Sequence, residues 1–136
     1  MADKIIDIEG IGPVYAERLA AVGIKTTDQL LAAAATPDAR AKLGDAVGVT
    51  SKLVLEWANR ADLMRVKGIG SEYADLLEFA GVDTVKELAQ RNAENLTAKM
   101  AQVNEEKGLV RRLPSLEEVI RWIAEAKTLP ASGVTY

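Results

Sequence analysis

Two short stretches carry the residues whose types and spacing can do chemistry. They are Glu9-Gly10-Ile11-Gly12-Pro13 and Lys67-Gly68-Ile69-Gly70-Ser71. Each reads as a glycine-apolar-glycine turn between a short apolar segment and a helix. Glycine reaches backbone angles that other residues reach only at a cost, and it leaves the turn's amides uncovered. The helix that follows adds unpaired N–H groups and the positive end of its dipole. Such a turn folds two helices against each other, and it can also hold an anion such as a phosphate. The candidate phosphate-binding residues are therefore Gly68, Ile69 and Gly70 with Arg65 and Lys67 leading into them, and Gly10, Ile11 and Gly12 in the first copy.

Other chemistries have little to stand on. The chain has no cysteine and no histidine. That removes disulfides, thiolate metal sites, haem ligation by either residue, and nucleophiles served by histidine. Of its four serines, Ser71 and Ser115 read as helix starts. The pairs Glu105-Glu106 and Glu117-Glu118 are adjacent in sequence, so they point in different directions on a helix and make no acid–base dyad. No enzyme activity and no cofactor are expected.

Net charge is −3, from 17 basic and 20 acidic residues, and the two halves hardly differ. Nucleic-acid domains usually carry a basic excess, so this balance counts against strong DNA affinity. Lys107, Arg111 and Arg112 form the densest basic cluster. They can grip an acidic partner or a phosphate, but the plainer reading is a solvated loop offset by Glu105 and Glu106. The N-terminal stretch through Asp7 lacks the apolar core of a signal peptide, and no run has the length of a membrane span. The expected location is cytoplasmic, with no membrane partner.

The elements that must position the turns come as a repeat. A shift of about 58 residues places Tyr15 on Tyr73, Leu19 on Leu77, Gly23 on Gly81 and Thr26 on Thr84. After an insertion, Val54-Leu55-Glu56-Trp57 falls on Val119-Ile120-Arg121-Trp122. Each unit reads as helices. Pro13 suits a first helical position and Gly23 a helix end. Thr26 with Gln29, Thr84 with Glu87, and Ser115 with Glu118 have capping-box spacing. Thr36-Pro37-Asp38 starts a further helix, and Thr50 another. The tyrosines and tryptophans are expected in the core or at its edge. The expected domains are 1–61, 62–128 and a tail from 129 to 136. Because Trp57 to Val66 holds neither glycine nor proline, the two units are expected to pack as one rigid body.

The pattern from Ile8 through Gly10-Ile11-Gly12-Pro13 to Leu19, Gly23-Ile24 and Thr26 resembles a helix-hairpin-helix motif. Within that superfamily it is most similar to the N-terminal domain of archaeal RadA-type recombinases. The resemblance implies an all-α protein of two tandem five-helix, SAM-like units. Gly48-Val49-Thr50 would be the first unit's weaker hairpin, replaced in the second by the insertion before Pro114. Over nearly its whole length, and on Ile8 to Leu30, Trp57 to Leu88, Arg111 to Pro114 and Trp122 to Leu129, the chain also resembles a bacterial family known only as a domain of unknown function.

Helix-hairpin-helix proteins that bind DNA commonly place a basic residue after the second glycine. Here those positions are Pro13-Val14 and Ser71-Glu72, so the cation is missing from both turns and Glu72 would repel a phosphate. The second turn, with Arg65 and Lys67 leading into it, is the better candidate. The expected function is a non-enzymatic module that binds duplex DNA weakly and without sequence preference. The alternative is a protein-interaction or scaffold module that has lost nucleic-acid binding.

Overall fold

A computed structural model describes residues 3–136 of the chain. Residues 1 and 2, the start of the N-terminal stretch considered above, lie outside the described residues. The described residues are helical: eight α-helices, a 3-10 turn at Ile5–Asp7, and no strand, although Lys4 and Thr26 form one isolated antiparallel bridge. None of these helices is long and apolar enough to cross a membrane. The chain divides into two compact units. One ends at Asp62 and also takes in Ala131–Tyr136, and the other is Leu63–Pro130.

In the first unit the 3-10 turn leads through Gly10-Ile11-Gly12 into α1 (Pro13–Ala21), followed by α2 (Thr27–Ala33), α3 (Pro37–Val47) and α4 (Ser51–Leu63). The local chemistry explains each start. Pro13 sits where its missing N–H costs nothing. The Thr26 hydroxyl accepts from the Gln29 amide while the Gln29 side chain accepts from the Thr26 amide, a complete capping box. The Thr36 hydroxyl accepts from the Ala39 amide at the start of α3, and Thr50 accepts from the Leu53 amide at the start of α4. Leu19, Leu30, Val54, Trp57 and Ala58 have no exposed surface, and they are the centre of this unit's core.

Gly44, inside α3, answers to packing rather than to helix propensity. A Cβ there would stand 2.5 Å from the Val49 carbonyl oxygen. The Gly44 carbonyl accepts from the amides of both Gly48 and Val49. The turn between α3 and α4 thus folds back onto the helix, which only glycine permits. The last residues of the chain belong with this unit too. The Thr135 amide donates to the Ala35 carbonyl at 2.7 Å, and the Tyr136 hydroxyl pairs with Asn59 Oδ1 at 3.1 Å.

The second unit follows the same helix order: α5 (Ser71–Phe79), α6 (Val85–Leu88), α7 (Ala93–Lys107) and α8 (Leu116–Ala126). Thr84 caps α6, but the Glu87 carboxylate approaches the Thr84 hydroxyl instead of its amide, so this capping box is only half formed. Asn92 caps α7, and Ser115 with Glu118 caps α8 reciprocally. α7 packs on α5 and α8, and α6 packs on α8. Leu76, Leu77, Leu88, Leu96, Met100, Val119 and Trp122 are the centre of the second core, each without exposed surface.

Candidate functional site

The two glycine turns have nearly the same backbone. The first glycine is left-handed in each, with φ of 93° at Gly10 and 94° at Gly68. It also lies against a tryptophan. A Cβ on Gly10 would meet Arg60 Nη1 at 3.2 Å and Trp57 Nε1 at 3.7 Å, and one on Gly68 would meet Trp122 Nε1 at 3.1 Å. The left-handed angle thus demands glycine at both positions, and at Gly68 the close approach of the indole adds to it. The middle isoleucine is a core anchor. Ile11 is 4% exposed and Ile69 is 3% exposed. Their amides are spent inside the turn, on the carbonyls of Ile8 and Val66. Neither isoleucine has a free amide to offer an anion.

The second glycine is different. Gly12 and Gly70 cap α1 and α5 with φ of −85° and −89°, angles open to any residue. A Cβ on either would meet nothing within 4 Å. Neither strain nor packing within the protein asks for glycine there. Both therefore leave the helix head without a side-chain cap. The two heads differ in donors. Ahead of Ala74, the first residue of α5 to donate within the helix, stand the amides of Ser71, Glu72 and Tyr73. Ahead of Ala16 in α1 stand only Val14 and Tyr15, because Pro13 has no N–H.

The last helix of each unit clamps its turn, with opposite polarity. In the first unit Arg60 Nη1 donates to the Glu9 carbonyl at 2.6 Å. In the second, the Lys67 amide donates to Glu125 Oε2 at 3.0 Å. Acid then base in one unit is base then acid in the other. The aromatic support is shared. Tyr15 and Trp57 have ring centroids 5.5 Å apart, Tyr73 and Trp122 5.3 Å apart, each pair tilted by 54°. Both indole N–H groups are buried without a hydrogen-bond partner in the protein.

At the second turn lies a cavity of about 420 Å³. Gly68, Gly70 and the head of α5 (Ser71, Glu72 and Tyr73) form one wall, and Val110, Arg111 and Arg112 of the inserted loop form the other. The loop is held from both sides of Arg111. Asn104 accepts from the Val110 amide at 2.9 Å and donates to its carbonyl at 3.1 Å. The Tyr73 hydroxyl donates to the Arg112 carbonyl at 2.8 Å. The Arg112 guanidinium meets Glu118 through two bonds of 2.8 and 3.1 Å. That bidentate contact, with the Ser115 amide next in weight, lowers the Glu118 carboxyl to about 2, and Glu118 raises Arg112 in turn. Arg111 is left exposed between these two anchored residues.

The structure thus brings Arg111 and Arg112 to Gly68 and Gly70, which are some forty residues away in sequence. Of the other expected cations, Lys107 and Arg65 have partners of their own for their side chains. The Lys107 ammonium lies 4.6 Å from the centre of the Phe79 ring. Arg65 donates to the Pro130 carbonyl, and the Lys67 amide is engaged by Glu125. Arg121 was missed by sequence reasoning. Its Nη2 lies 3.5 Å from where a Gly68 Cβ would be. Its position just before Trp122 was the available signal, because that tryptophan packs under the turn.

No curated protein and no solved structure matches this chain. A family described as Domain of unknown function (DUF4332) matches residues 9–129, which include both turns and the inserted loop. The chain belongs to that family.

Proposed function

We propose that this chain is a non-enzymatic helix-hairpin-helix protein that binds nucleic-acid phosphate weakly and without sequence preference, chiefly through Gly68-Ile69-Gly70. The observation that carries this reading is the cavity that the head of α5 shares with Arg111 and Arg112. Backbone amides at a helix N-terminus favour an anion, and a nearby guanidinium adds charge. The resemblance of the turns to helix-hairpin-helix motifs, and of each unit to the RadA-type N-terminal domain, supports a nucleic acid as the source of that anion. The cation that such motifs carry after the second glycine is Glu72 here. In this reading the inserted loop supplies the cation instead. Affinity is low because few cations are gathered, and sequence preference is absent because phosphate contacts carry none.

Gly70→Asp separates the ligand from the fold. Aspartate is a better helix cap than glycine by a few tenths of a kcal/mol, and a Cβ at this position meets nothing. The same carboxylate repels a phosphate. In fluorescence anisotropy with labelled duplex DNA at low salt, the expected result is about tenfold or greater loss of affinity, with thermal stability unchanged or raised. Wild-type protein that binds no DNA at low salt, or a variant that binds as well as wild type, would leave the protein-interaction reading in its place.

A further inference from the structure

We infer that the outer face of α8 is a pairing surface for a second copy of this chain, which lays its own α8 there in the antiparallel direction. The pairing does not depend on nucleic-acid binding.

α8 is more apolar than its core requires. Val119, Trp122, Ile123 and Ala126 face the core and are buried. Leu116, Ile120 and Ala124 follow one another at four-residue spacing, which sets them in one row along the helix. All three are exposed, Ile120 by 50%. Leu113, just ahead of α8, is exposed as well. The first unit is an internal control. The register that places Trp122 on Trp57 places Leu116, Ile120 and Ala124 on Ser51, Leu55 and Asn59 of α4. There the two end positions are polar, Leu55 is half-buried, and Asn59 accepts from the hydroxyl of Tyr136 in the chain's own C-terminal segment. The fold therefore does not need a leucine and an isoleucine at these places. Exposed apolar side chains clustered in this way mark an interaction surface.

Charge says what covers the row. Glu117 stands in the first turn of α8, Arg121 one turn later, and Lys127 at the C-cap. All three are exposed, and none has an ion pair among the described residues. The other two acids of α8 are engaged, Glu118 by Arg112 and Glu125 by the Lys67 amide. The open charge of α8 thus runs from acid at its start to base toward its end. A parallel neighbour of the same kind sets like charge against like. An antiparallel one sets acid against base, and a two-fold axis repeats every such contact. It also opposes the two helix dipoles.

One register satisfies both the apolar row and the charges. Pairing about the midpoint between Ile120 and Ala124 lays the isoleucine of each copy on the alanine of the other. Large then packs on small, and the helix axes can approach to about 8 Å. The same midpoint brings Glu117 of each copy level with Lys127 of the other, because both pairs of positions share one centre. Arg121 must turn from Gly68 to contribute, so Lys127 carries more of the attraction. The seam is short, about 16 Å for a helix of this length, which belongs with weak and transient interfaces.

The test is sedimentation equilibrium of the full chain without nucleic acid, from about 1 μM to about 1 mM. A monomer–dimer equilibrium with a midpoint inside that range is expected. Ile120→Glu should weaken it about tenfold or more with thermal melting unchanged. Val14→Glu, at an exposed apolar position of the first unit, should leave it intact. Glu117→Lys and Lys127→Glu should each weaken self-pairing, and the two variants mixed in equal amounts should pair with each other at about wild-type strength. A chain that stays monomeric throughout overturns the self-pairing and leaves the face to a different protein. A dimer untouched by Ile120→Glu overturns it equally, and a mixture of the charge variants that fails to pair overturns the antiparallel arrangement.

Discussion

Gly68 and Gly70 stand two residues apart and obey different constraints. Gly68 is left-handed at φ 94°, with Trp122 Nε1 3.1 Å from its missing Cβ. Gly68→Ala must strain the backbone and displace a buried indole, and should cost about 1–3 kcal/mol in urea denaturation. Gly10→Ala should cost less, because only the left-handed angle is shared: its Cβ would meet the flexible end of Arg60 at 3.2 Å and the indole at an ordinary 3.7 Å. At Gly12, where the angle is ordinary and the space open, Gly12→Ser should leave stability within about 0.5 kcal/mol or raise it slightly. Equal losses at both glycines of one turn would refute this division. Glu118 offers a second test at this scale. Because its carboxyl is lowered to about 2, the stability that the contact with Arg112 adds is fully present above the usual value of 4.5 and is lost as pH falls from there to about 2, while the contact itself stays ionised until pH nears 2. A side-chain carboxyl titration by NMR should place Glu118 well below 4.5. In Arg112→Ala it should return part of the way, since the Ser115 amide remains.

At the level of elements, the inserted loop is the part that departs from the first unit. Its order comes from α7 more than from its own residues. Asn104 makes hydrogen bonds to both the amide and the carbonyl of Val110. Asn104→Ala removes both, at about 0.5–1.5 kcal/mol each. The Val110 amide should then exchange about tenfold faster or more, while the α5 and α8 amides keep their protection. Unchanged exchange at Val110 would mean that Tyr73 and Glu118 hold the loop alone. The helices themselves are governed locally. Thr26, Thr36, Asn92 and Ser115 each accept from the amide three residues on, and the sequence spacing of each cap is enough to place it.

At the level of the whole molecule, the C-terminal segment decides how the chain is partitioned. Residues 131–136 come last in sequence but belong with the first unit, through Thr135 on Ala35 and Tyr136 on Asn59. Truncation after Pro130 should lower the first unit's stability by about 1–3 kcal/mol, since it removes several exposed hydrogen bonds at once. Hydrogen exchange should show the loss in α2 and α4 and not in α7. A uniform loss over the chain, or none, would contradict this partition.

The sequence by itself determined the helices, their caps and the two glycine turns, because each depends on neighbours within a few residues. Thr26 needs only Gln29, and Gly10 needs only its own backbone angle. It also marked Trp57 and Trp122 as corresponding residues. Tertiary structure alone decided which charges meet the second turn. Arg65 is near it in sequence, yet its guanidinium goes to the Pro130 carbonyl. Arg111 and Arg121 come from a distant loop and the last helix, brought there by the packing of α5, α7 and α8. Local spacing cannot anticipate such a meeting, because the position of a charge around a turn is set by how whole helices pack.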